Sequence, residues 1–271
     1  MYPRFNLYSY YNQCNHLFAP KYFDWVKDVS GEINFFVDDY VPQKPNITSN
    51  KPNVAMLIEP RTIQPLVYEW LEQNYKEFDI IFSHDTKILQ FANAYPIFFM
   101  NWYKTYNVPK TKNISMVCSD KVMCEEHAAR QSIADILGDR VDHYGKYKGH
   151  YCDYYECRAE YMFEVVVDNN WEGYWLSEKL ANPLASKTIP IYLGGQFFPS
   201  DLDLNGIIMV ESVGDIPSIV DGILQNPDKV YYNRIKAVEH NYKAIQRYHV
   251  FEDWLFEEYH QLFEDLINKG V

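Results

Sequence analysis

Between Val54 and Val210 the chain alternates short β-branched apolar runs with stretches of helical period, and this alternation decides the fold class. Residues 54–58, 79–82, 114–118, 141–144, 161–167, 189–193 and 207–210 read as strands. Between them, 64–75 reads as a helix with Leu66, Trp70 and Leu71 on one face, 86–92 as a short helix, 125–137 as a helix closed by Gly138, and 175–186 as another. Strands that alternate with helices predict an α/β fold, with parallel sheets covered by helices on both faces. In such sheets a ligand sits at the carboxyl ends of the strands.

The flanks complete the reading. Residues 5–11 and 33–41 are expected as strands, 22–29 as a short helix, and 42–52, with Pro42, Pro45 and Pro52, as a loop. A further strand is placed at 96–103. Helices are placed at 217–225 and 227–248, each opened by a proline. In 251–267, Phe251, Trp254, Leu255, Tyr259, Leu262, Phe263 and Leu266 recur at three and four, which predicts an amphipathic helix. Pro109 and the lysines around it mark a boundary. The expected division is 1–112, 113–248, and a terminal segment 249–271 whose helix packs back across the domains.

Composition narrows the partners. Lys and Arg total 25 against 37 Asp and Glu, a formal charge of −12, which argues against a protein that tracks a nucleic-acid backbone. A nucleotide-sized ligand needs only a few local cations. Aromatics reach 17%, which serves a core or a sugar-stacking surface. The five cysteines form no C-x-x-C pair, against a disulfide framework or zinc ribbon. His143, His150, Cys152 and Cys157 cluster in sequence, but their spacing fits no common ligand pattern. Asn46-Ile47-Thr48 and Asn113-Ile114-Ser115 fit the glycosylation pattern and are taken as ordinary loop residues. No charged n-region followed by an apolar run opens the sequence and no stretch approaches a membrane span, so a cytoplasmic protein is expected, compatible with bacterial or viral origin.

One segment has a layout suited to phosphate. The run Phe163-Glu164-Val165-Val166-Val167 ends in Asp168-Asn169, and a loop with Gly173 leads to Trp175-Leu176-Ser177-Glu178-Lys179. A strand end, a glycine loop and a helix start bring an amide donor, a lysine and free backbone N–H groups together. Glu178 would accept from ribose hydroxyls. The same spacing also suits an ordinary strand-to-helix junction with Glu178 and Lys179 solvated, and spacing alone leaves both open.

This segment, with Lys187-Thr188-Ile189-Pro190-Ile191-Tyr192-Leu193-Gly194 after it, resembles the donor-site signature of the α1,3-fucosyltransferases of glycosyltransferase family 10. Upstream, Val117-Cys118-Ser119, His127-Ala128-Ala129-Arg130 and Val141-Asp142-His143-Tyr144-Gly145 follow the same family's order. The resemblance spans residues 114–259 and is not found before residue 54. Three positions depart from the pattern: Asp168 stands for the usual Glu, Trp175 for the usual Tyr, and Leu193 where Trp is common. Pro183 lies inside the expected helix and is expected to kink it.

The resemblance implies a GT-B fold, two Rossmann-like domains facing a cleft, with 1–112 on the acceptor side and 113–248 binding the donor. It implies an inverting transferase that moves a sugar, fucose from GDP-fucose first, to a glycan hydroxyl. Arg130, Asn169 and Lys179 match the diphosphate contacts, Glu178 the ribose contact, and Trp175 a donor-site aromatic. No metal and no cofactor beyond the nucleotide-sugar donor is implied, because Arg and Lys neutralise the leaving diphosphate. Glu59 matches the acceptor-activating base, with Asp38 and Asp39 as the other carboxylates in reach. Three other readings stay open: a GT-B transferase with a different sugar nucleotide, a non-catalytic nucleotide- or glycan-binding protein on the same fold, and a metal-dependent enzyme using Asp201-Leu202-Asp203.

Overall fold

The computed structural model describes residues 2–9, 20–47, 50–102, 104–148, 151–153 and 155–269. The strands among them are β1 (Arg4–Tyr8), β2 (Asp24–Val26), β3 (Ile33–Val37), β4 (Asn53–Met56), β5 (Ile80–Ser83), β6 (Ala94–Pro96), β7 (Lys112–Val117), β8 (Asp142–Tyr144), β9 (Tyr161–Val167), β10 (Ile189–Leu193) and β11 (Ile208–Met209). The α-helices are α1 (Pro65–Asn74), α2 (Glu125–Leu137), α3 (Glu178–Leu184), α4 (Ile216–Leu224), α5 (Pro227–Asn233), α6 (Ile235–Ala244) and α7 (Phe251–Lys269). Two compact units result: Met1–Phe99 with Val250–Val271, and Met100–His249.

In the first unit the strand order is β2-β1-β3-β4-β5-β6, and every neighbouring pair is parallel. β3, Ile33-Asn34-Phe35-Phe36-Val37, is buried along its whole length, as a strand covered on both faces must be. Phe35 packs with Phe5 and with Phe263 of α7 on one face. Phe36, with Ala55 and Ile81, meets Val67, Tyr68 and Leu71 of α1 on the other.

In the second unit the order is β11-β10-β9-β7-β8, again all parallel. Ile114, Met116, Phe163, Val165, Ile189 and Ile191 form a core with Ile133, Ala134 and Leu137 of α2 and with Ile216 and Val220 of α4. Gly138 closes α2 at φ +50°, its N–H returning to the Ala134 carbonyl. Each sheet reverses its winding once, between β1 and β3 and between β7 and β9. Those reversals open the sheet edge where ligands bind in this architecture.

Several local expectations are corrected. Residues 22–29 form no helix; β2 pairs with β1, and Trp25 packs edge-on against Phe23 and Phe35. The strand expected over 33–41 stops at Val37, because Asp38 turns to φ +49° and starts a 3-10 helix, Asp38–Asn46, through part of the expected loop. The strand placed at 96–103 ends where it was to begin: β6 is Ala94–Pro96. On α1, Leu66 is exposed, and Val67 and Tyr68 take its place on the buried face. The helix expected over 175–186 begins at Glu178 behind a Ser177 cap and ends at Leu184. Pro183 therefore sits in its last turn and terminates it rather than kinking it. The single helix expected over 227–248 divides at Arg234, whose φ and ψ of −104° and 2° are not helical.

Candidate functional site

In the second unit the winding reverses between β7 and β9, and the chain leaving β7 enters α2. His127 and Arg130 lie three residues apart on that helix, hence on one face. Arg130 is 5% exposed. Its Nε donates to the carbonyl of Val167, the last residue of β9, at 2.6 Å, while its Nη2 is buried with no hydrogen-bond partner among the described residues. A buried guanidinium nitrogen left without an acceptor carries a desolvation cost that a bound anion would remove.

Asp168 follows directly and is fully buried. Its Oδ1 accepts from the Asn169 N–H at 2.9 Å and lies 3.5 Å from Lys179 Nζ; its Oδ2 accepts from Ser177 Oγ at 2.6 Å. Burial raises its pKa, but Lys179, Ser177, Trp175 and the Asn169 amide more than offset this, and the net shift is downward. Ser177 is also the N-cap of α3, accepting from the Lys179 N–H. Lys179 so starts a helix pinned to the strand end. Burial lowers its pKa, while Glu178 and Asp168 raise it by more; Arg130 opposes them, which puts the two cations within electrostatic range. His127 belongs to the same group: burial, then Arg130 and Lys179, hold its imidazole below the ordinary histidine range.

The structure thus brings Arg130, Asn169, Glu178 and Lys179 to the carboxyl end of β9, with Glu178 Oε1 at 3.1 Å from Lys179 Nζ. Trp175 is buried, and its carbonyl accepts from the Gly195 N–H and the Tyr192 hydroxyl, both at 3.2 Å. Two glycines make these approaches possible. A Cβ at Gly195 would stand 2.1 Å from the Trp175 carbonyl oxygen, and one at Gly145, where φ is +92°, 2.3 Å from that of Cys118. The sequence alone assigns no role at the site to His127 or Asp168. The available signals were the i, i+3 spacing to Arg130 and the serine at the cap position.

In the first unit, carboxylates gather where β3, β4 and β5 end. Asp38 Oδ1 accepts from the Ile58 and Glu59 N–H groups at 2.7 and 3.1 Å. Glu59 is half-buried, and its carbonyl accepts from the Tyr68 hydroxyl at 2.7 Å. That hydroxyl also lies 3.1 Å from His84 Nε2. Arg61 stacks over the Tyr68 ring and pairs with Asp85 at 2.8 Å and Glu72 at 2.7 Å. Asp39 is half-buried beside Asp38.

The metal-ligand candidates are occupied otherwise. Asp201 Oδ1 accepts from the Tyr248 hydroxyl and Asp203 caps Asn205. His143 Nε2 meets the Gly138 carbonyl, and Cys157 Sγ accepts from Arg158. His150, Cys14 and Thr48 lie outside the described residues. Among the described residues no three His, Cys, Asp or Glu side chains are grouped to hold a metal, and no helix is long and apolar enough to cross a membrane.

No protein-family model and no curated protein sequence matches the chain. Solved structures do. The chain is similar to an α1,3-fucosyltransferase at 13% identity and TM-score 0.54, covering 79% of this chain and 72% of that one. A structure of an α1,3-fucosyltransferase with GDP gives 12% and 0.54, covering 85% and 83%. TarM of S. aureus, solved with UDP, gives 15% and 0.54 over 87% of this chain and 55% of TarM. These neighbours are GT-B glycosyltransferases, and the chain has their α/β fold of two parallel-sheet units.

Proposed function

We propose that the chain is a metal-independent, inverting glycosyltransferase that moves a sugar, fucose from GDP-fucose first, to a glycan hydroxyl. The observation that carries this reading is the Arg130 guanidinium, buried at the end of β9 with Nη2 lacking an acceptor and Lys179 in electrostatic range. Two cations in electrostatic range of one another, one a planar fork, suit the two negative charges of a leaving diphosphate. In this reading Arg130 and Lys179 stabilise the charge as it develops, Asn169 offers an amide, Glu178 accepts from the ribose hydroxyls, and Trp175 shapes the donor pocket. Residues 113–248 then form the donor domain and 1–112 the acceptor-side domain. The acceptor proton goes to a carboxylate at the strand ends of the first unit, where Glu59 and Asp38 meet.

The fold neighbours supply two donor bases, GDP for the fucosyltransferase and UDP for TarM, so a UDP-sugar is the second reading. Calorimetry with GDP, UDP and their sugar conjugates separates the two, and release of free nucleotide from the conjugate separates both from a binding-only protein. GDP is expected to bind more tightly than UDP. Absence of binding by every nucleoside diphosphate at millimolar concentration would defeat the reading.

A further inference from the structure

Asp38 stands directly after β3, where the first sheet reverses its winding. Three costs fall on this one residue. Its φ of +49° is a left-handed conformation, a small cost for aspartate, which adopts it more readily than most residues with a Cβ. It is 2% exposed, so its charge is desolvated. Its Oδ1 is satisfied by the Ile58 and Glu59 N–H groups, but its Oδ2 is buried with no hydrogen-bond partner among the described residues. A cap for the 58–59 turn needs only the Oδ1 half, and asparagine supplies that without a charge. An unfilled carboxylate oxygen at a winding reversal is an acceptor position that a substrate hydroxyl completes.

Building on the transferase reading, we infer that Asp38, rather than Glu59, takes the proton of the attacking hydroxyl. As the acceptor oxygen bonds to the anomeric carbon, its proton passes to Asp38 Oδ2. The bond from that carbon to the diphosphate oxygen breaks, and the electron pair leaves with the diphosphate. Glu59 is then a positioning residue: its N–H anchors Oδ1, and its carboxylate, with that of Asp39, favours the proton on Asp38. From α1 and the end of β5, Tyr68 lies within electrostatic range, held by His84 and flanked by Arg61 and Asp85. Burial is the main cause that lifts the Asp38 carboxyl to about 8; the two N–H donors oppose it and the neighbouring carboxylates add to it. A base of this kind gains activity as pH rises toward that value.

The test is turnover of the sugar conjugate that binds in the calorimetry described above, followed from about pH 6 to about pH 9.5. Asp38→Asn is expected to fold, to bind GDP within about threefold of wild type, to lose about a hundredfold or more in kcat, and to lose the rise toward pH 8. Glu59→Gln is expected to move that rise to lower pH, since it removes one like charge. Asp38→Asn turnover within about threefold of wild type would overturn the assignment. So would a Glu59→Gln protein that loses the rise while Asp38→Asn keeps it, or an Asp38→Asn chain that does not fold. Wild-type protein that turns over no sugar nucleotide strikes the transferase reading itself, a failure distinct from these.

Discussion

Ser177 Oγ donates to Asp168 Oδ2 across 2.6 Å, with both residues buried. This bond fastens the first turn of α3 to the end of β9. Lys179, two residues into that turn, is held on the same strand end that the Arg130 side chain grips through the Val167 carbonyl. Two cations are thereby held at one strand end from two different helices.

If those cations hold a diphosphate, Arg130→Ala and Lys179→Ala should each weaken GDP binding or turnover by roughly a hundredfold, the scale of one lost charge-stabilising donor. Turnover should also persist in a chelator. Calorimetry and steady-state rates on the two variants check this, and wild-type behaviour in both would count against the site.

His127 gives the same site a pH signature. Its imidazole is held low by burial, Arg130 and Lys179 in the free protein. A bound diphosphate favours the imidazolium, so binding takes up a proton and affinity rises as pH falls through the ordinary histidine range near ~6.5. Because the nucleotide titrates nearby, the measurement is the difference in GDP affinity between wild type and His127→Gln across pH. Parallel curves would remove His127 from the site.

Gly195→Ala tests the loop that carries Trp175. The new methyl would meet backbone, the Trp175 carbonyl oxygen at 2.1 Å, and no rotamer relieves that contact. A loss of about 2 kcal/mol or more is expected in urea unfolding, with weakened nucleotide binding. Unaltered stability would mean that the loop has room to shift.

Asp38 also makes a stability prediction independent of activity. Its folded-state carboxyl, raised to about 8, holds its proton more tightly than the unfolded chain does near ~4. The stabilisation is therefore complete below about pH 4 and is lost as pH rises through about 8. Asp38→Asn, which never ionises, should melt at a higher temperature than wild type at pH 9 and close to it at pH 5. A constant difference across pH would contradict the buried, proton-holding carboxyl.

Much of this architecture is written locally. Tyr161–Val167, Ile189–Leu193 and Glu125–Leu137 are bounded as their apolar runs and the Gly138 stop indicate, because a strand buried on both faces leaves a near-continuous hydrophobic run, interrupted in β9 by Glu164, which pairs with Arg158. The N-terminal region is less legible. Tyr22, Phe23, Trp25 and Val26 suit either period, and pairing with β1, some twenty residues earlier, decides for a strand. At the candidate site the resemblance named Arg130, Asn169, Glu178 and Lys179, which the fold does bring to one strand end. The bond from Arg130 to Val167 crosses 37 positions of sequence, and no local pattern carries it. The left-handed turn at Asp38 is likewise invisible before the backbone is seen, since aspartate takes either sign of φ and no local pattern says which.

The first unit is closed by the last segment of the chain. Phe263 of α7 packs against Phe5, Phe35 and Phe82, Tyr259 bonds to the Pro96 carbonyl, and Glu252 accepts from Trp25. During synthesis, then, the continuous unit from Met100 to His249 is complete before the first unit, whose sheet stays uncapped until residues 250–269 are made. A chain stopped after His249 should yield a protease-resistant fragment from the later-made unit alone, with the earlier one digested. The unit begun first is then the one completed second.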